Sequence, residues 1–218
     1  MNDHLGKEPP EYGEIVFEIN RSPVSLQSKS EKKNEFKDFV SSIVKGAGFL
    51  LSGDVKLLIE WRVTEQHRYE HASAYDVDNI IKPLLDSISG PDGVLVDDNQ
   101  VQSIECYWTD IYHDPDEKLI VTIKYVNDEW LPKEGLEFLS FEGNLCLPIW
   151  NNIKPEYQKI FIERYRSGIE FKNQALEAGI EYYQAKLGMP IQRVFHKGRL
   201  AGFKIISATD RLAEINNS

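Results

Sequence analysis

Through the first 126 positions, short runs of alternating apolar and polar residues are separated by stretches with helical spacing. Ile15, Phe17 and Ile19 alternate with polar neighbours and predict a first strand, which the Asn20-Arg21-Ser22-Pro23 cluster stops. Phe36, Phe39, Val40, Ile43 and Val44 predict a helix capped by Ser30 and ended by Gly46 and Gly48. Val55, Leu57, Ile59 and Trp61 alternate again as a second strand, and Glu65 to Ser73 reads as a polar loop. A second helix is predicted from about Asp78 to Ile88 on the apolar face of Ile81, Leu84, Leu85 and Ile88. Pro83 falls inside it, so that helix either begins close to Asn79 or bends. Two more strands, Val101 to Tyr112 and Leu119 to Val126, are expected to join near His113 to Glu117. The elements sum to an α+β domain with a mixed sheet of about four strands and two helices.

The pattern changes from Asn127. Residues 128–154 mix Pro, Gly and scattered apolar residues without a clear period, which predicts an irregular connector lying against the first domain. After Pro155, the residues Phe161, Tyr165, Ile169, Leu176, Ile180, Tyr183 and Leu187 step by three, four or seven and predict one long amphipathic helix, stopped by Gly188 and Pro190. Residues 193–206 read as a β-hairpin around Lys197-Gly198-Arg199, followed by a short polar tail. The expected organisation is a disordered N-terminus over 1–12, a folded domain over 13–127, a connector over 128–154, and a helix-hairpin extension over 155–218.

Composition narrows the class. Hydrophobic content of 41% and four tryptophans in 218 residues argue against wholesale disorder. No apolar run is long enough to span a membrane, and the polar start with Pro9-Pro10 has no signal-peptide pattern, so a cytoplasmic location is expected. Cys106 and Cys146 lack the paired spacing of a zinc site and read as reduced and mostly buried. The net charge is −10, and all the excess acid lies in residues 1–126, which hold 13 Lys and Arg against 23 Asp and Glu. That weighs against tight, promiscuous nucleic-acid binding, although a groove needs only local basicity.

The candidate chemistry lies between Tyr75 and Asn99. Asp76-Val77-Asp78-Asn79 is followed by Lys82, Asp86 and a Gly-containing turn that ends in Asp97-Asp98. Carboxylates converging in a partly dry site repel one another unless a cation sits among them. Oxygen ligands with no His or Cys close by favour Mg²⁺, with Mn²⁺ as the alternative. A helix starting near Asp78 sets Asp78, Lys82 and Asp86 four residues apart on one face. A helix-loop-helix calcium loop is excluded, because counting from Asp76 its fifth, sixth and twelfth positions hold Ile80, Ile81 and Ser87.

Asp76-Val77-Asp78-Asn79, Lys82 four residues past the second Asp, and Asp97-Asp98-Asn99-Gln100-Val101 together resemble the RusA-type Holliday junction resolvases, over roughly Gly13 to Val126. The resemblance implies a metal-dependent endodeoxyribonuclease that hydrolyses phosphodiesters in branched DNA as a homodimer. It implies Asp76, Asp78 and Asp98 as metal ligands, with Asp97 either a fourth ligand or a group that orients the others. Lys82 then stabilises charge or orients water; read alone, it is a surface pair with Asp78 or Asp86. Asn79 reads as a helix-start hydrogen-bonder and Asp86 as an exposed acid. The loop from Ser22 to Lys29 is either a plain connector or a phosphate contact, and the resemblance favours contact, with Ser25, Gln27, Lys29, Lys32 and Lys33 as candidates.

Two features depart from the family pattern. Ser73-Ala74-Tyr75 stand where arginines often precede the first Asp, which leaves His67, Arg68 and His71 as the nearest basic groups and Arg68 as a further DNA-binding candidate. The second departure is the extension after residue 126. Arg193, Lys197, Arg199, Lys204 and Arg211 make its end basic, so it reads as a nucleic-acid clamp, a dimer arm, a docking module for a protein partner through residues 127–218, or a helix packed on its own domain. The alternative functions are a nuclease subunit redirected to other DNA in a phage-resistance or genome-processing complex, and a non-catalytic DNA-binding module.

Overall fold

Strict alternation of apolar residues makes one face of the first sheet a continuous apolar surface, and two helices cover it. The computed structural model describes residues 5–71, 75–112, 116–189 and 193–217 and divides the chain into two units, Met1–Lys133 and Glu134–Ser218. The first unit runs β1 (Glu14–Ile19), α1 (Ser30–Val44), β2 (Phe49–Leu51), β3 (Val55–Val63), α2 (Glu65–Glu70), α3 (Val77–Ile88), β4 (Val101–Asp110), β5 (Lys118–Lys124) and β6 (Trp130–Pro132). Its main sheet has the order β1-β5-β3-β4. The first three strands are antiparallel neighbours, while β3 and β4 are parallel. Ile15, Phe17, Ile59, Trp61 and Val121 from the strands share one buried core with Phe36 and Val40 of α1 and Ile80 and Leu84 of α3.

Several local expectations are corrected. Ser30 does not cap α1 but is its first residue, with Lys29 at the N-cap and no side-chain cap bond. Glu65 to Glu70 of the expected polar loop form α2, because Thr64 accepts from the His67 amide at 3.2 Å and caps it. Residues 72–74 and 113–115, which include parts of two expected loops, lie outside the described residues. Of the N-terminus expected to be disordered, residues 1–4 also lie outside them. Residues 5–12 are tied down: Leu5 packs on the core, the Gly48 amide donates to the Gly6 carbonyl at 2.9 Å, and the Tyr125 hydroxyl donates to the Pro10 carbonyl.

Pro83 sits inside α3 without ending it. A proline has no N–H to give to the carbonyl four residues back, which here belongs to Asn79. The Leu26 amide, from the loop between β1 and α1, donates to that carbonyl at 2.8 Å. The proline's missing bond thus becomes the anchor of a neighbouring loop.

The second unit runs β7 (Leu136–Ser140), β8 (Leu145–Trp150), α4 (Pro155–Glu177), α5 (Tyr182–Ala185), β9 (Phe195–His196), β10 (Ile205–Ser207) and α6 (Ala208–Asn216). Its sheet has the order β10-β7-β8-β9. The stretch 128–154, expected to be irregular, carries β6, β7 and β8. β7 and β8 are buried on both faces, so they show no alternation to read. The long helix ends at Glu177, short of Leu187, because Gly179 takes a left-handed φ of 80° and reverses the chain. β9 and β10 do not pair as a hairpin: β9 joins β8, and β10 joins β7 in parallel. The polar tail is helical, capped by Ser207, whose hydroxyl accepts from the Thr209 and Asp210 amides.

Glu137 of β7 braces this unit. Its buried carboxylate accepts from Lys204 at 2.6 Å, Asn151 at 3.1 Å and Arg211. Arg211 is thereby drawn inward, whereas Lys204 pairs with Glu137 and stays exposed. Burial alone would raise the pKa of Glu137, but the bonds from Lys204 and Asn151 and the charges of Arg211 and Lys204 outweigh it and hold it below the usual carboxylate value. A depressed pKa stabilises the fold above the unfolded value of about 4.3 and ceases to do so as pH falls through the folded value. Glu137→Gln is expected to cost about 3 kcal/mol near neutral pH and to flatten the loss of stability below about pH 4.3, measured by urea unfolding of the full chain across that range.

Candidate metal and DNA site

The candidate residues lie on the connection between β3 and β4. Asp76 is the N-cap of α3 and Asp78 lies in its first turn, where an acid is favoured by the helix dipole. Both are exposed, and among the described residues neither side chain has a hydrogen-bond or ion-pair partner. One turn on, the Lys82 ammonium lies 2.5 Å from Asp98 and 2.7 Å from Asp86. Burial would lower the Lys82 pKa, but its hydrogen bonds to Asp86 and Asp98 outweigh that and raise it above the ordinary lysine value. Lys82 is thus cationic through the neutral range. It is not a simple pair with Asp78, because it reaches across to the turn that carries Asp98.

That turn is held by Gln100, part of the motif that carries the resemblance but given no role there. Asp97 caps the single 3-10 turn Asp98–Gln100, accepting from the Asn99 amide at 3.3 Å, so its carboxylate shapes the turn. The Gln100 side chain is buried; it accepts from the Asp97 amide at 2.9 Å and donates to the Leu51 and Gly53 carbonyls at 2.8 Å each. An Asp followed three residues later by Gln is the spacing of a capping box, and this was the signal in the sequence. Upstream, a Cβ on Gly93 would overlap the Ile88 carbonyl, so glycine lets the chain fold back tightly on the end of α3 before it reaches Asp97.

Among the described residues no group of three or more acid, His or Cys side chains converges closely enough to hold a metal ion. The expected set of Asp76, Asp78, Asp97 and Asp98 is not gathered into one cluster. The donor chemistry still suits Mg²⁺, which keeps several waters and is held by one or two carboxylates together with substrate phosphates. Asp76 and Asp78 are unpartnered oxygen donors of that kind.

The expected DNA contacts separate into two groups. Gln27, Lys29 and Lys32 are exposed. Ser25 is only 6% exposed and its hydroxyl accepts from the Gln27 amide at 3.1 Å, so it shapes the loop. Lys33 is half-buried and donates to the Leu26 carbonyl at 3.2 Å. Arg68 is likewise turned inward: it donates to the Tyr75 carbonyl at 2.5 Å and lies 5.4 Å over the Trp61 ring. Glu117 is a further residue the sequence did not flag, since only the tertiary fold assembles its partners. It accepts from Trp61 Nε1 at 2.7 Å and Ser22 Oγ at 2.5 Å, and lies 3.4 Å from His67 Nδ1.

Gln100→Leu keeps the volume and removes all three side-chain bonds, leaving two buried carbonyls and an amide without partners. It is expected to destabilise the protein by about 3 kcal/mol, read from denaturant unfolding. It should also speed amide exchange at Asn99, whose partner Asp97 is released.

Residues 17–124 match the family model of endodeoxyribonuclease RusA. No curated protein sequence matches the chain. The matched segment holds β3, β4 and the whole connection carrying Asp76, Asp78, Lys82 and Asp98, and through this unit the chain belongs to the RusA endodeoxyribonuclease family.

Proposed function

We propose that the protein is a Mg²⁺-dependent, structure-selective DNA endonuclease that resolves four-way junctions as a homodimer. The observation that carries this reading is two unpartnered carboxylates, Asp76 and Asp78, on a RusA-family domain in which Lys82 is drawn to Asp98. Asp76 and Asp78 would hold the ion together with substrate phosphates, and Asp98 would join them only on leaving Lys82. When bound, a divalent ion stabilises charge on the phosphoryl and leaving oxygens and lowers the pKa of a water. Lys82, kept protonated by its acidic neighbours, adds a fixed positive charge for the phosphate and orients water beside it. Gln27, Lys29 and Lys32 offer an amide and two ammonium groups to the DNA backbone. Cutting two symmetric strands needs two sites related by a two-fold axis. By family resemblance the products carry a 5′-phosphate and a 3′-hydroxyl.

A second reading, a RusA-fold nuclease redirected to other DNA by a protein partner, is favoured by the second unit, which leaves Tyr183 and Leu187 more than four-fifths exposed. One experiment separates the two. Wild type and Asp78→Asn are incubated with a labelled four-way junction, a fork and a linear duplex, in Mg²⁺ or EDTA, and resolved on a denaturing gel. Symmetric junction cuts by the wild type alone are expected, lost in EDTA and reduced at least about 100-fold in the variant. A folded wild type that cuts none of the substrates removes autonomous resolvase activity.

A further inference from the structure

Asp76 ends a stretch of backbone that one side chain holds from outside. The residue before it, Tyr75, gives its carbonyl to Arg68 Nη1 at 2.5 Å, a charge-assisted bond from α2 across to the start of α3. The guanidinium is fixed in turn. It lies over the ring of Trp61, which is fully buried in β3, and Trp61 Nε1 is held by Glu117 at the head of β5. The same carboxylate bonds Ser22 and faces His67, the residue next to Arg68 on α2. An unbroken set of contacts therefore runs from the sheet through Arg68 to the peptide preceding Asp76.

Two observations set Arg68 apart from an ordinary structural arginine. Its Nε is buried without a hydrogen-bond partner, an arrangement that carries a desolvation penalty and that a hydrophobe at this position would avoid. Asp76, meanwhile, has no cap bond of its own, so its direction is set by the backbone on either side of it.

We infer that Arg68 is a positioning residue for Asp76: its bond to the Tyr75 carbonyl fixes the peptide from which the Asp76 carboxylate projects. The inference rests on the reading of Asp76 as a metal ligand and assigns Arg68 no contact with DNA. It accounts for a residue that neither the acidic motif nor the DNA loop explains. Arg68→Met keeps the stem against Trp61 and deletes the donor. Arg68→Lys keeps a cation over the ring and one donor toward the carbonyl.

The test uses the full chain without DNA. Mn²⁺ affinity is measured by electron paramagnetic resonance for wild type, Asp76→Asn, Arg68→Met and Arg68→Lys, together with amide exchange of the peptide 75–80 and the thermal midpoint. The expected result for Arg68→Met is an affinity loss of about tenfold with faster exchange over 75–80. Arg68→Lys should recover part of both at an equal midpoint. Wild-type affinity and exchange in Arg68→Met overturn the inference, and so does a wild type whose Mn²⁺ binding equals that of Asp76→Asn. A wild type that binds Mn²⁺ in this manner but cuts nothing in the gel assay loses the autonomous resolvase reading while the positioning role is upheld.

Discussion

β3 and β4 lie side by side and run the same way, so the chain must leave the sheet after Val63 and return to the opposite end before Val101. A hairpin cannot join parallel neighbours; a crossover must. The crossover here carries α2 and α3, and Asp76, Asp78, Lys82, Asp97 and Asp98 all lie on it. α3 and the β4 strand start are thereby packed together, and the contact between Lys82 and Asp98 joins the two ends of the crossover's acidic stretch.

A crossover is precise only if something fixes it, and this one is fixed at three points by different chemistry. Pro83 withholds an amide, and the carbonyl it leaves open anchors the loop that presents Gln27 and Lys29. Gln100 uses one buried side-chain amide to tie the turn of Asp97 and Asp98 to β2. Arg68 and Glu117 tie α2 to Trp61. None of these groups needs to touch a substrate, yet each holds a segment that carries an exposed polar group.

The sequence was legible where a signal is local and periodic. The alternation of Ile15, Phe17, Ile19 and of Val55, Leu57, Ile59, Trp61 gave the strands, because one face of that sheet is buried and the other is not. The acidic motif stood out because its residue types and spacing are unusual, and the family match covers it. Reading failed where tertiary structure decides. β7 and β8 are buried on both faces and lose their alternation, and the apolar steps past Leu176 continue after Gly179 has already turned the chain. In the site, Asp76 and Asp78 are exposed, whereas the inward turn of Ser25 and Arg68 depends on local loop geometry and on the partners Tyr75 and Trp61. Glu137, far from Lys204 and Arg211 in sequence, meets both, a pairing that the charge pattern of the extension does not reveal.

β4 is an edge strand, joined to the main sheet through β3. β1, β5 and β3 are held together by antiparallel pairing that does not involve β4. Asp98 lies just before β4, and Asp76 at the N-cap of α3. Fraying of that one edge strand therefore separates Asp98 from Lys82 and from Asp76 while the rest of the sheet stays paired.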